Sequence, residues 1–133
     1  MLKILIIDDD EIVLLVERKI LQRCGFDQET FTFKSSEAAL KFLKEEDEDQ
    51  KFLILLDINM PVMNGWQFLN KMEELGRDEN VFVIMVTSSI DRYDKEIAEK
   101  YKSVIGFIEK PITTENCIQI KDLTQLADFF KVL

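Results

Sequence analysis

Leu2-Lys3-Ile4-Leu5-Ile6-Ile7-Asp8-Asp9-Asp10 is a β-branched apolar run that stops at consecutive carboxylates. It reads as a buried strand, and the acids mark where it leaves the core. Beyond it the period changes: Ile12, Val13, Val16, Ile20, Leu21 and Cys24 recur at helical spacing, and Gly25 stands where a left-handed residue stops a helix. A strand followed by an amphipathic helix is the unit of a parallel sheet, because parallel neighbours need a crossover of about a dozen residues.

The same unit repeats along the chain. Thr30-Phe31-Thr32-Phe33 alternates like a half-covered edge strand, and Ser35 or Ser36 can cap a helix carrying Ala39, Leu40, Phe42 and Leu43. Phe52-Leu53-Ile54-Leu55-Leu56 is apolar throughout, as in a central strand covered on both faces. Asn64 followed by Gln67 resembles a capping box, with Trp66, Leu69, Met72 and Leu75 on one helical face and Gly76 as its stop. Val81 to Val86 is a further buried strand, Asp91 opens a helix expected to bury Ile97 and Tyr101, and Val104 to Ile108 forms a short last strand. Past Thr113 the period is mixed: Leu123, Leu126, Ala127 and Phe130 suggest a final amphipathic helix, whereas Ile118 and Ile120 alternate, so the start of that helix stays open.

Strand-helix alternation of this kind predicts an α/β fold, a doubly wound five-stranded parallel sheet with helices on both faces. A closed eight-fold barrel needs about twice the chain. Residues 1–133 contain no internal repeat and no Pro/Gly/Ser-rich linker, so one domain without an output domain is expected.

Composition narrows the chemistry. There are 26 Asp+Glu against 17 Lys+Arg, a net charge of −9, and no histidine. That excludes Ser-His-Asp and Cys-His catalysis, His-bearing zinc sites and a phosphohistidine carrier. The acidic balance argues against nucleic acid or an anionic membrane surface as ligand. With no long apolar span and no signal pattern, a cytoplasmic location is expected. Cys24 and Cys117 are expected to be reduced and buried, and the acidic run Glu45 to Asp49 to be a solvated loop.

In an open parallel sheet, functional groups collect at the carboxyl ends of the strands. Here the first strand delivers Asp8, Asp9 and Asp10, the third Asp57, the fourth Thr87 and Ser88, and the fifth Lys110. Singly, each has a bland explanation: the early acids cap a helix, Asp57 forms a turn, Thr87 and Ser88 are caps, Lys110 is a surface lysine. Together they converge, and carboxylates a few ångströms apart repel by roughly 4 kcal/mol per close pair at an effective dielectric of about 20. A cation among them relieves this, and an oxygen-only donor set points to a hard ion, Mg²⁺ above all. Asp57, apart from the acidic cluster, can then act as a nucleophile toward phosphorus, with Lys110 pairing with the transferred group and Thr87 donating a hydrogen bond to it.

These residues resemble the receiver domains of two-component response regulators. The resemblance is carried by Ile6-Ile7-Asp8-Asp9-Asp10, by Leu55-Leu56-Asp57-Ile58-Asn59-Met60-Pro61-Val62-Met63-Asn64-Gly65, by Val86-Thr87-Ser88 and by Lys110-Pro111. It implies a flavodoxin-like sheet of order 2-1-3-4-5, with Asp57 as phosphoacceptor and Mg²⁺ held by Asp8, Asp9, Asp57 and the backbone carbonyl of Asn59. It further implies a switch in which Thr87 moves inward and Phe107, where relatives often carry Tyr, follows it. A cis Lys110-Pro111 bond is implied too, and Asn59 and Ser89 stand at positions that tune dephosphorylation. Asp10 falls outside the matched acidic pair and is left as a helix-start residue.

By the same resemblance the phosphodonor is a histidine kinase or histidine phosphotransfer protein. Output passes to a protein target through strand five and its flanking helices, a surface that can also form a homodimer. The domain is then a phosphoacceptor and not a turnover enzyme. Three rivals remain: an aspartyl-phosphate phosphohydrolase, in which Asn59 would have to replace an acid/base carboxylate; a flavodoxin-like electron carrier, whose phosphate Asp8, Asp9 and Asp10 would repel; and a degenerate receiver that only binds partners.

Overall fold

The computed structural model describes residues 1–130. Strands and helices alternate: β1 (Leu2–Ile7), α1 (Glu11–Arg23), β2 (Thr30–Phe33), α2 (Ser36–Glu45), β3 (Lys51–Asp57), α3 (Gly65–Glu74), β4 (Val81–Thr87), α4 (Arg92–Ala98), β5 (Val104–Glu109) and α5 (Thr114–Asp122), followed by a 3₁₀ helix at Thr124–Phe129. All strand pairs are parallel, in the order β2-β1-β3-β4-β5. This is the doubly wound fold and strand order expected from the sequence.

Strand periodicity sorts the core into two layers. Leu5, Ile7, Ile54, Leu56, Val83 and Met85 pack with α2 and α3 through Leu43, Phe68, Leu69 and Met72. The alternate residues Ile4, Ile6, Leu53, Leu55, Ile84, Val86 and Ile108 face α1 and α5 through Leu14, Leu21, Cys117 and Ile120. β3 and β4 are buried almost throughout, as their unbroken apolar runs require. Gly25 (φ 84°) and Gly76 (φ 68°) end the helical segments in the left-handed region. Cys24 and Cys117 are free thiols, the first half-buried and the second buried.

Three helices differ from the periodicity. On α1 the buried stripe is Leu14, Glu17 and Leu21, spaced by three and four, and Ile12 (72%) and Val16 (41%) are exposed. The apolar pattern misplaced the stripe because one of its members is an acid. α4 ends at Ala98, its buried residue. Tyr101 lies beyond it, stacked on Trp66 at 6.0 Å with its hydroxyl donating to Asn70 Oδ1 at 2.7 Å.

The single tail helix expected around Leu123–Phe130 is two elements. α5 starts at a Thr113/Asn116 capping box and buries Cys117 and Ile120, three residues apart, so Ile118 points outward at 61% exposure. Leu123 is extended, and the following 3₁₀ helix buries Leu126. Residues 131–133, included in the single-domain expectation, lie outside the described residues. Among the described residues no helix is long and apolar enough to cross a membrane.

Candidate functional site

Strand phase places the polar groups. Asp8 continues the Ile4, Ile6 row of β1, Asp57 the Leu53, Leu55 row of β3, and Lys110 the row of Ile108 in β5, all on the α1/α5 face. β1 and β3 are adjacent, with Ile7 opposite Leu56, so Asp8 and Asp57 emerge side by side one residue later. Thr87 continues the Val83, Met85 row and belongs to the opposite face. A main-chain bond from Lys110 N–H to the Thr87 carbonyl (2.8 Å) ties the ends of β4 and β5 together.

Asp8 and Asp57 are 1% and 4% exposed, and Asp9 is exposed. One carboxylate oxygen from each of Asp8, Asp9 and Asp57 lies within 4.8 Å of the others, a grouping that could hold a metal ion. Lys110 Nζ stands 2.7 Å from Asp8 Oδ2 and 3.3 Å from Asp57 Oδ1. The remaining Oδ1 of Asp8 accepts from Asp10 N–H at 2.9 Å, and Asp57 Oδ1 accepts from Asn59 N–H at 3.3 Å. Asp10 turns away and caps α1, its carboxylate accepting from Ile12 N–H at 2.9 Å.

The pocket is short of positive charge. Burial, then the neighbouring Asp8 carboxylate, pushes Asp57 up to about 6, against the opposing pull of Lys110 and the Asn59 N–H. Burial alone would lower the Lys110 ammonium, but Asp8 and Asp57 outweigh it and the net direction is upward. A hard divalent cation fits this donor set: all oxygen, one exposed ligand for entry, and carboxylates whose repulsion one ammonium only partly offsets.

Thr87 is buried, and its hydroxyl bonds with the main chain of Ser89, donating to the carbonyl at 3.3 Å and accepting from N–H at 3.4 Å. Ser88 and Ser89 are exposed. Phe107, opposite Met85 in the β4/β5 register, is partly buried against the α2/α3 layer, on the same side of the sheet as Thr87. The Lys110-Pro111 peptide bond is cis. Asn59 is exposed on the loop after β3, and that loop returns through Gly65 N–H, which donates to the Ile58 carbonyl at 2.9 Å.

Sequence periodicity missed Glu17. It is 3% exposed, and its Oε1 has no hydrogen-bond partner. Burial, then Asp8, raises its carboxyl to about 8, with Lys110 lowering it and Asp57 raising it further. The available signal was its place between Leu14 and Leu21 on one helical face, where an acid is normally excluded.

Comparison with known proteins places this arrangement. Residues 4–121 match the response regulator receiver domain family. Two-component response regulator 24 of Arabidopsis thaliana is 29% identical over 116 residues, covering 87% of this chain and 78% of that protein. Transcriptional regulatory protein PrrA of Mycobacterium tuberculosis is 33% identical over 89 residues, but those are 67% of this chain and only 36% of PrrA. Likewise, the match to two-component response regulator ARR10 of Arabidopsis thaliana covers 21% of that relative. The crystal structure of a response regulator receiver protein from Dyadobacter fermentans superposes with a TM-score of 0.79 at 27% identity, covering 91% of this chain and 95% of the other. A two-component response regulator from Cytophaga hutchinsonii gives 0.79 at 26% identity, covering 98% and 96%. The chain belongs to the response regulator receiver domain family of two-component systems.

Proposed function

We propose that this receiver takes a phosphoryl group onto Asp57 from the phosphohistidine of a histidine kinase or phosphotransfer protein, in a Mg²⁺-dependent reaction, and changes conformation to bind a protein target. The observation that carries this reading is the convergence of buried Asp8 and Asp57 with Asp9 and with Lys110, whose ammonium lies 2.7 and 3.3 Å from the two buried carboxylates. Residues 1–133 contain no histidine, so the donor imidazole lies outside them.

A carboxylate oxygen of Asp57 attacks phosphorus, an O–P bond forms, the donor's N–P bond breaks, and the imidazole leaves with the bonding pair. The carboxylates of Asp8, Asp9 and Asp57 with the Asn59 carbonyl would hold Mg²⁺, which when bound supplies charge neutralisation at the phosphoryl oxygens. Lys110 follows the charge from the Asp57 carboxylate to the new phosphoryl group. Thr87 exchanges its bond with the Ser89 carbonyl for one to a phosphoryl oxygen, and Phe107 moves on the same side of the sheet. Asn59 and Ser89, both exposed at the rim, modulate access of the hydrolytic water. The target docks on β5 and its flanking helices. The domain accepts the group once per cycle and is not a turnover enzyme.

Incubation with Mg²⁺ and acetyl phosphate is expected to add one phosphoryl group by intact mass, and Asp57→Ala to abolish the addition. An unchanged mass for folded wild type, beside a receiver control that does phosphorylate, would leave the partner-binding, phosphate-independent reading in its place.

A further inference from the structure

The turn that follows β4 is tied down from two strands. The Thr87 hydroxyl donates to the Ser89 carbonyl at 3.3 Å and accepts from the Ser89 N–H at 3.4 Å. From β5, the Oε1 of Glu109 accepts from the Ile90 N–H at 3.2 Å. Glu109 stands opposite Thr87 in the β4/β5 register and two residues after Phe107, so its side chain leaves the sheet on the side of both. The main-chain bond from Lys110 N–H to the Thr87 carbonyl fixes the two strand ends against each other. The sheet itself therefore sets the reach of Glu109 to the turn.

The turn leads directly into α4. Asp91, the next residue, caps that helix, and Ala98 is the helix's buried residue. Beyond its far end Tyr101 is anchored, stacked on Trp66 and bonded to Asn70. A helix with so little buried surface owes its position largely to what holds its two ends. Of those two anchors, the Glu109 bond is the one beside Thr87. It also has a direction: Thr87 reaches a phosphoryl group on Asp57 only by leaving Ser89, and Ser89 stays within its reach while the neighbouring Ile90 is tied to β5. A contact made in one state of a two-state element stabilises that state.

We propose that Glu109 is a positioning residue for the switch: by holding the Ser89–Ile90 turn against β5, it keeps the Thr87 hydroxyl on Ser89 and α4 seated in the unphosphorylated protein. This role rests on the reading of Thr87 as the residue that moves to the phosphoryl group.

The test is the initial rate of phosphorylation of the full chain by acetyl phosphate with Mg²⁺, followed by intact mass. Two substitutions separate the bond from the charge. Glu109→Gln removes the charge but keeps an oxygen for the Ile90 N–H, whereas Glu109→Ala removes both. Weaker repulsion of the anionic donor is common to the two variants, and loss of the latch is not, so Glu109→Ala is expected to react about threefold faster than Glu109→Gln. In a Thr87→Ala background, with no hydroxyl left to restrain, the two are expected to agree within about 1.5-fold. Equal rates with Thr87 present would show only the field of an acid and overturn the proposal. A slower alanine variant would overturn it too, as would a threefold difference that survives in the Thr87→Ala background. Glu109 is exposed, so neither substitution disturbs the core. A wild type that takes no phosphoryl group overturns the phosphoacceptor reading itself; a wild type that takes it, with equal rates for the two variants, overturns only the role of Glu109.

Discussion

Gly65 faces the main-chain carbonyl of Asp57 so closely that a Cβ on it would stand 2.8 Å from that oxygen. The same Cβ would lie 3.0 Å from Ile58 Cα and 3.2 Å from Met85 Cε. Two of these contacts are backbone and cannot swing away. The absence of a side chain at the start of α3 therefore lets the loop after β3 close over the strand end that carries the proposed phosphoacceptor.

Gly65→Ala is expected to cost about 2 kcal/mol in urea unfolding, in the range of overpacking a tight site. Because the strain falls on Asp57 itself, the variant is also expected to phosphorylate more slowly than wild type under native conditions. Wild-type stability and rate would show that the loop yields freely.

Val62, in the same loop, has the opposite problem. It is a β-branched residue at φ 68° and 87% exposed, so it carries left-handed strain without burying its side chain. Val62→Asn or Val62→Gly is expected to raise stability by about 1 kcal/mol, read as a higher urea midpoint at unchanged m-value. A lower midpoint for both would mean that the valine makes a compensating contact.

Much of the fold is legible in the chain because each strand's apolar run ends at a polar residue and each helix has a cap or stop: Asp10, Ser35, Asn64, Asp91 and Thr113 all cap through their side chains. The site is legible for a related reason, since strand phase alone puts Asp8, Asp57 and Lys110 on one face. Three features were not. Thr87 leaves on the other face, which a list of strand-end residues does not reveal. Glu17 is hidden because hydrophobic periodicity has no way to count an acid as buried. The tail defeats periodicity because Leu123 breaks the helix with an extended residue that has no glycine or proline to announce it.

Glu17 also predicts a pH dependence. Its folded value of about 8 lies above the ordinary 4.5 of an unfolded chain, so between those pH values the folded protein holds a proton that the unfolded one has released. Stability of the metal-free protein therefore falls as pH rises through this window, with Asp57, raised to about 6, adding the same sign lower down. Glu17→Leu is expected to flatten the upper part of the slope and to be more stable than wild type at pH ~9 by on the order of 3 kcal/mol. Chemical denaturation across pH with a chelator present measures both. Parallel wild-type and variant curves would place the carboxyl in contact with water.

The most direct measurement concerns Asp57 alone. Protein treated with Mg²⁺ and acetyl phosphate is reduced with borohydride, which converts an aspartyl phosphate to homoserine, and the digest is sequenced by tandem mass spectrometry. Homoserine at position 57, missing when Mg²⁺ is chelated, is the expected result. Unmodified aspartate at position 57 in phosphorylated protein, or homoserine at another acid, would contradict the assignment of Asp57 as the phosphoacceptor.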